Sequence, residues 1–198
     1  MNLKAGLTTG RVVEVAAQIA DEVGLVQMTP SAVARRVDVR VASLYSHVRG
    51  ADDLRTRVTL LALSEMADRL AVALAGRSGK DAVRALADTY RDYARLHPGR
   101  YEAARLRLDA TTAASSAGPR HAEMMRAVLR GYQLSGVDQT HAVRLIGSLV
   151  HGFVQLELDG GFDHSAPDSQ ASWVRLIDAL DTLLRSWPPT DAVQEEQR

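Results

Sequence analysis

The sequence predicts an all-α protein, and three observations support that prediction. Apolar residues recur at intervals of three and four along almost the whole chain, as they do on one face of a helix. Runs of alternating β-branched residues, which are typical of strands, do not occur in the sequence. Glycine and proline stand where the periodic segments end. We predict about nine helices, arranged as a small N-terminal three-helix domain followed by a larger helical domain.

The composition of the 198 residues limits the class of protein. The 24 basic and 24 acidic residues give a net charge of zero, which argues against a polyanion-binding protein of the histone or ribosomal kind. The sequence has no cysteine, which excludes disulfides, thiolate metal ligands and a thiol nucleophile. We find neither a membrane-length apolar run nor the apolar stretch of a signal peptide. We therefore expect a soluble, cytoplasmic protein with no membrane partner.

Three helices are predicted within the first 50 residues. Apolar residues on one face predict a helix over 9–23, and Gly24 is suited to end it. Thr29 and Pro30 combine an N-cap with a proline at the first helical position, which predicts a short helix to about Val37. The segment 38–40 interrupts it, and a second short helix is predicted to about His47.

The remaining helices follow from the same periodicity. Two carboxylates after Gly50 suit the first turn of a long helix to about Ala75. The next helix ends at His97, because proline restricts the residue before it. Predicted helices then cover 81–96, 99–108, 120–135, 138–158 and 168–186. Small and polar residues predict a loop over 109–119 and a frayed, flexible tail over 188–198.

The segment 29–48 reads TPSAVARRVDVRVASLYSHV and has the pattern of a helix-turn-helix. Its inward-facing positions are apolar and spaced to pack on the first helix: Val33, Ala34, Val37, Val39, Leu44 and Val48. Its outward-facing positions are predicted to be Arg40, Val41, Ser43 and Ser46, with Tyr45 and His47 at the flanks. Residues 1–50 carry six basic and four acidic side chains, and four of the six basic ones fall between Arg35 and Arg49.

These outward residues have the chemistry of DNA recognition. Arginine binds a guanine edge through two hydrogen bonds, serine donates to or accepts from several bases, and Val41 is suited to a thymine methyl group. Thr29, Tyr45 and His47 are candidates for phosphate contacts, which position a protein on DNA without specifying sequence. Taken alone, Tyr45 is more often a packing residue and His47 an ordinary exposed histidine. Their joint placement favours DNA binding.

The order of motifs resembles the N-terminal DNA-binding domain of TetR-type transcriptional regulators. The matching stretches are GRVVEVAAQIADEVGL, MTPSAVARRV, DVRVASLYSHV and RGADDL. Three positions depart from the family pattern: Asp38 replaces the turn glycine, Val48 replaces an aromatic residue, and Ala51 replaces a lysine that grips phosphate. Aspartate tolerates a left-handed turn, so we expect the turn to survive. Arg49 is the candidate to replace the missing lysine contact.

Two later stretches, YRDYARLHPGRYEAARL and GSLVHGFVQLELDGGF, resemble the C-terminal domain of one branch of these regulators, in which a Val- or Trp-His-Gly motif occurs. The resemblance implies DNA binding by residues 1–50 and ligand binding with dimerisation by residues 51–187. It also implies a homodimer held by the last two helices. The apolar residues chosen for that interface are Ile146, Phe153, Trp173, Ile177, Leu180 and Leu184. The alternative for the same residues is an intramolecular core.

A cavity for a small, mainly apolar effector is suggested by polar and aromatic groups dispersed in apolar helices. The candidate ligand-binding residues are Tyr93, His97, Tyr101, Arg105, Met125, Tyr132, His151 and Gln155. For any one of them, ordinary packing is the simpler interpretation; His151, for example, has the surroundings of a core histidine.

The leading functional prediction is a repressor that a small molecule releases from a palindromic double-stranded DNA operator. An enzyme is disfavoured, because the six histidines form no HxxxH or HExxH pair and no nucleophile or phosphate-cradling motif occurs. We accordingly predict no cofactor and no metal. A third hypothesis, a TetR-like helical dimer that has lost DNA binding and acts through a partner protein or ligand, remains open because of Asp38 and Ala51.

Overall fold

A computed structural model describes residues 7–188, and within that range the chain forms ten α-helices and no strand. The ten helices are α1 (Thr9–Val23), α2 (Pro30–Arg36), α3 (Val41–Leu44), α4 (Ala51–Leu74), α5 (Gly79–Leu96), α6 (Pro98–Ala103), α7 (Ala110–Ser115), α8 (Gly118–Leu129), α9 (Gly136–Leu158) and α10 (Ser169–Arg185). The predicted all-α class is confirmed. None of these helices has the length and apolar character needed to cross a membrane.

The predicted loop over 109–119 is wrong, because α7 lies inside it. The Asp109 carboxylate accepts hydrogen bonds from the N–H groups of Thr111 and Thr112, both at 3.0 Å, and so caps the helix. An aspartate N-cap ahead of an alanine-rich turn is a helix-start signal that the small, polar composition concealed. The helices predicted over 99–108 and 120–135 end earlier than expected, at Ala103 and Leu129. Apart from Pro188, the predicted flexible tail lies outside the described residues.

The chain divides into two compact units. Unit 1 contains the residues up to Ala67 together with Tyr93–Gly118, and unit 2 contains Asp68–Asp92 and the residues from Pro119 onward. Helices α4 and α5 therefore each contribute residues to both units. These packing units do not follow the predicted boundary at residue 50, since part of α4 and all of α6 belong with the N-terminal helices. The functional division into DNA-binding and ligand-binding domains remains a prediction.

The core of unit 1 forms around the apolar face of α1. Val12 and Ala16 are fully buried there. The same core includes Val33 of α2, Leu44 of α3 and Val48, which lies between α3 and α4. Val37 and Val39 lie half-buried against it. The inward-facing set predicted for the helix-turn-helix is thus confirmed. The physical reason is the helical period, which brings residues three, four and seven apart onto one face.

The core of unit 2 includes the inner faces of α9 and α10, together with buried residues of α5 and α8. Ile146, Val150 and Val154 are buried on α9, and Trp173 and Ile177 are buried on α10. Polar groups inside this unit are paired, as burial in a low-dielectric interior requires. Arg91 of α5 donates to both carboxylate oxygens of Glu157, at 2.8 and 2.6 Å.

Candidate nucleic-acid interface

The first helix of the helix-turn-helix is α2, and its start is set by Thr29. The Thr29 backbone is extended, and its Oγ1 accepts a hydrogen bond from the Ala32 N–H at 3.1 Å. Pro30 occupies the first helical position, where its missing N–H costs no hydrogen bond. The Thr29 hydroxyl therefore caps α2. Its placement at a phosphate remains a prediction.

The turn between α2 and α3 is made by Asp38. Its φ is 53°, in the left-handed region that glycine adopts most easily. The next N–H, that of Val39, donates to the Ala34 carbonyl at 3.0 Å, which satisfies an end carbonyl of α2. The expectation that aspartate makes this turn in place of glycine is confirmed.

The second helix is shorter than predicted, because α3 ends at Leu44 and the chain continues as turns to His47. Leu44 is fully buried and anchors the segment in the core. On the other side Arg40, Ser43, Tyr45 and Ser46 are exposed, as predicted for residues that reach DNA. Ser46 donates its hydroxyl to the Ser43 carbonyl at 2.8 Å, which holds the two serines together. The structure therefore gathers four of the predicted DNA-binding residues on one exposed segment.

Two other predicted contacts are less accessible. Val41, expected to face outward, is half-buried and packs against the core of unit 1, because its apolar side chain lies at the start of α3 where the core is within reach. His47 is also half-buried, and its Nδ1 lies 3.5 Å from Thr9 Oγ1 at the beginning of α1. Val41 is thus a partial correction to the predicted outward face.

Arg49 precedes α4, and its side chain is exposed. Its backbone N–H donates to Asp53 Oδ2 at 2.9 Å, and Arg57 Nε donates to the same oxygen at 2.9 Å. Desolvation raises the pKa of Asp53, but these bonds outweigh it and leave that pKa below the usual range. At neutral pH the Asp53 carboxylate therefore accepts the N–H group that precedes α4. The Arg49 guanidinium is an exposed cation close to Ala51.

Not every arginine near the helix-turn-helix is available to a nucleic acid. Arg36 donates to both Glu22 oxygens, at 3.1 and 2.6 Å, on the exposed side of unit 1. This pair offsets one of the positive charges counted in the sequence. Arg35 and Arg40 are also exposed.

Four of the eight predicted ligand-binding residues belong to unit 1. Tyr93 is fully buried and donates its hydroxyl to Glu65 at 2.7 Å, while His97 Nδ1 lies 3.1 Å from Asp21 Oδ2. Tyr101 is buried, and burial raises the pKa of its hydroxyl to about 12 although Arg105 acts in the opposite direction. The Arg105 guanidinium lies 5.6 Å from the centre of the Tyr101 ring.

The other four belong to unit 2. Met125 is buried on α8, and Tyr132 donates its hydroxyl to Asp181 at 2.6 Å. The His151 ring makes an edge contact with Tyr90 at 5.4 Å between centroids. Gln155 donates to Asp159, the C-cap residue of α9, at 3.0 Å. The eight residues are thus divided equally between the units, and their role in ligand binding remains a prediction.

The residues chosen for a dimer interface lie mostly on the inner face of α9 and α10. Those that are 1–2% exposed in the single chain are Ile146, Trp173, Ile177, Leu180 and Leu184. Phe153 is half-buried and lies 5.0 Å from the Trp173 ring and 4.8 Å from the Phe162 ring. In the single chain these side chains pack as an intramolecular core, which is the alternative stated for them in the sequence analysis. Apolar residues that remain exposed on the same helices include Leu149, Leu156 and Leu183.

Two buried arginines were not singled out from the sequence. Arg91 bridges α5 to Glu157 and also donates to Gln170 at 2.7 Å. Arg100 is 6% exposed and is surrounded by carboxylates in unit 1. Both lie in the stretch YRDYARLHPGRYEAARL, but arginine is frequent throughout this chain, so its identity alone gave no signal of burial.

Comparison with known proteins relates both halves of the chain to transcriptional regulators. A family model described as "Tetracyclin repressor-like, C-terminal domain" matches residues 83–180. The uncharacterized HTH-type transcriptional regulator YobS of Bacillus subtilis is 30% identical over 163 residues, which are 82% of this chain and 85% of YobS. The uncharacterized HTH-type transcriptional regulator Rv0681 of Mycobacterium tuberculosis is 35% identical over 167 residues, which are 83% of this chain and 77% of that protein.

Solved structures share the fold. A TetR variant from Acinetobacter baumannii in complex with minocycline superposes with a TM-score of 0.65 at 19% identity, covering 92% of this chain and 97% of the other. BioQ with its double-stranded DNA operator gives a TM-score of 0.61 at 21% identity, covering 89% of this chain and 99% of BioQ. At these identities the comparison establishes the architecture alone.

Proposed function

The chain belongs to the TetR family of transcriptional regulators, and on that premise we propose that it is a ligand-responsive, sequence-specific repressor of a palindromic operator. The observation that carries the proposal is the exposed segment formed by Arg40, Ser43, Tyr45 and Ser46 over the buried anchor Leu44. An arginine and two serines beside an exposed aromatic ring suit base edges and phosphates of duplex DNA.

A palindrome requires two reading segments, so the proposal includes a homodimer. Two-fold partners place their recognition helices in successive major grooves, roughly 34–36 Å apart. The homologous fold of BioQ with its DNA operator supports this mode of binding for a chain of this architecture.

Release by a small molecule is the second part of the proposal, and the minocycline complex of the related fold supports it. An effector needs only to bind the DNA-free state better than the DNA-bound state. Typical couplings of this kind are about 1–3 kcal/mol. We propose a mainly apolar effector, because pockets for such ligands are lined chiefly by apolar and aromatic groups. A regulator of this kind acts in the cytoplasm.

The experiment is a gel-shift titration of the purified protein with its own promoter and neighbouring intergenic DNA. Arg40→Ala is expected to weaken binding by about 1–3 kcal/mol and to relax the sequence preference at one position. Tyr45→Ala should weaken binding to all sequences more evenly, since phosphate contacts carry little sequence information. Arg126→Ala, which removes an exposed arginine of α8 in unit 2, is the matched control and should bind as the wild type does.

Two observations favour a second candidate, a dimer that has lost DNA binding. Ala51 offers no phosphate contact, and the Arg36 charge is paired with Glu22. If the wild-type protein shifts none of these fragments at low salt, the repressor proposal fails and this candidate replaces it.

A further inference from the structure

Helix α6 begins without a cap of its own. Its N-cap residue, His97, makes no side-chain capping hydrogen bond. The missing acceptor comes from Asp21 in the last turn of α1: its Oδ1 accepts the Arg100 N–H at 2.9 Å, and its Oδ2 lies 3.1 Å from His97 Nδ1. Arg100 is the third residue of α6, the position whose N–H a capping side chain normally satisfies. The Asp21 carboxylate of α1 thus acts as the N-cap of α6.

The Arg100 side chain ties the same helices together a second time. Its Nη1 donates to Glu65 of α4 at 2.9 Å and its Nη2 to Glu14 of α1 at 3.2 Å, while Nε lies 3.0 Å from Asp21 Oδ2 without hydrogen-bond geometry. Desolvation lowers the pKa of this guanidinium, but the three carboxylates outweigh it and hold the pKa above its usual value. Removing Arg100 would leave the carboxylates of Glu14, Asp21 and Glu65 facing each other without the guanidinium that they share.

The backbones of α1 and α6 also meet closely at this point. A Cβ added to Gly99 would lie 2.1 Å from the carbonyl carbon and oxygen of Ala20, so only glycine fits there. At the other end of α6, Thr59 of α4 donates its hydroxyl to the Ala103 carbonyl at 2.9 Å. Helix α6 is therefore held against α1 near its start and against α4 at its end.

We infer that Asp21 and Arg100 are positioning residues for DNA binding. They hold α6 against α1 and thereby set the position of α1, on which α2 and α3 pack. Residues of α1, α2 and α3 share one core with Ala103 of α6. A shift of α6 is therefore transmitted to α2 and α3 by direct packing. Arg100 itself is buried and acts through α1. The consequence for DNA binding rests on the proposed function, whereas the capping of α6 by Asp21 does not.

The capping is tested by amide hydrogen exchange over residues 97–104. Asp21→Ala should speed exchange of the Arg100 amide about fivefold, the effect of losing a typical cap. Asp21→Asn keeps an oxygen acceptor for that N–H and should have a smaller effect.

The positioning role is tested by operator titration of the same variants. Asp21→Ala and Arg100→Met are expected to weaken operator binding about tenfold with helical content and dimer unchanged, the size of effect that residues acting through packing can have. Arg100→Lys should restore part of the affinity. The control is Arg120→Met, which breaks an exposed pair with Asp68 at 2.9 Å in unit 2 and should stay within about twofold of the wild type.

The outcomes separate the two proposals. If the wild type binds no operator, the proposed function fails while exchange still decides the capping. Unchanged exchange in Asp21→Ala overturns the capping, and faster exchange with operator affinity within about twofold of wild type overturns the positioning role. Should Asp21→Ala and Arg100→Met fail to fold, the milder Asp21→Asn and Arg100→Lys are judged by the same two readouts.

Discussion

Asp38 forms the turn between α2 and α3 and places a negative charge beside the proposed DNA-binding segment. Among residues 7–188 it is the one non-glycine position with a positive φ, and its side chain is exposed two residues before Arg40. A left-handed conformation strains any residue with a Cβ, although aspartate tolerates it better than most. An exposed carboxylate beside the proposed DNA-binding segment is also expected to oppose the approach of phosphates. The two effects are separable by substitution.

We expect Asp38→Gly to stabilise the protein by about 1 kcal/mol, because glycine adopts this φ without strain. Asp38→Asn is the matched control: it keeps a residue that tolerates the conformation and removes only the charge, so unfolding should change little while operator affinity rises. Urea denaturation and the gel-shift titration measure the two effects. A less stable Asp38→Gly variant would show that the relief of strain is outweighed, either by a lost local interaction of the carboxylate or by the larger conformational entropy of glycine in the unfolded chain.

Helix α7 is stabilised by its N-cap, Asp109, more than by tertiary packing. It contains no buried residue, so tertiary packing contributes little to its formation. Asp109 accepts from the N–H groups of Thr111 and Thr112, and its other oxygen accepts the Thr112 hydroxyl at 2.6 Å. These bonds hold the pKa of the Asp109 carboxyl below its usual value, with the Thr112 hydroxyl as the largest cause.

Asp109→Ala should therefore unfold α7 while leaving global unfolding unchanged. The control Thr111→Ala keeps the cap and adds helix propensity, so its α7 should remain protected. Because the folded pKa is depressed, the contribution of the carboxylate is complete above the unfolded pKa of about 4 and is lost as pH falls through the folded pKa. Hydrogen exchange over residues 110–116 is the measurement; unchanged protection in Asp109→Ala would mean that α7 has support besides its cap.

At the scale of the whole molecule, the proposed homodimer needs an exposed apolar face on α9 or α10. Leu149 and Leu156 are 37% and 52% exposed and lie seven residues apart on one face of α9. Gly152 falls between them, and a Cβ there would meet nothing within 4 Å. Leu183 of α10 is 42% exposed. The open space at the glycine leaves room for a partner helix between the two leucines, so we expect this stripe, and not the buried residues, to form the contact of the proposed homodimer.

The double variant Leu149→Arg, Leu156→Arg is expected to be monomeric, with the dimer dissociation constant raised at least about a hundredfold, since burying a leucine contributes about 1.5–3 kcal/mol. Leu158→Arg is the control, because Leu158 is 38% exposed on the same helix but points to another side. Light scattering after size-exclusion chromatography gives the mass. A dimer that survives the double substitution would place the interface elsewhere.

Local signals in the sequence were sufficient for most of the helices and for the turn. The helix start at Thr29-Pro30, the stop at Gly24 and the break at His97-Pro98 each depend on residues within one turn of the boundary, and the structure has all three. The left-handed conformation of Asp38 was predictable for the same reason. Helix α7 was missed because a polar, small-residue composition outweighed a single capping aspartate.

The sequence by itself determined the all-α class, the helix-turn-helix and its inward-facing residues, because helical period and capping act between neighbours in the chain. Only the tertiary structure decided which side of α9 and α10 is the core, since both sides carry large apolar residues and periodicity does not distinguish an intramolecular face from an interface. It also decided that Asp21 caps a helix that begins 77 residues later in the chain, at Pro98. Contacts of that range are set by how whole helices pack, and no local pattern specifies them.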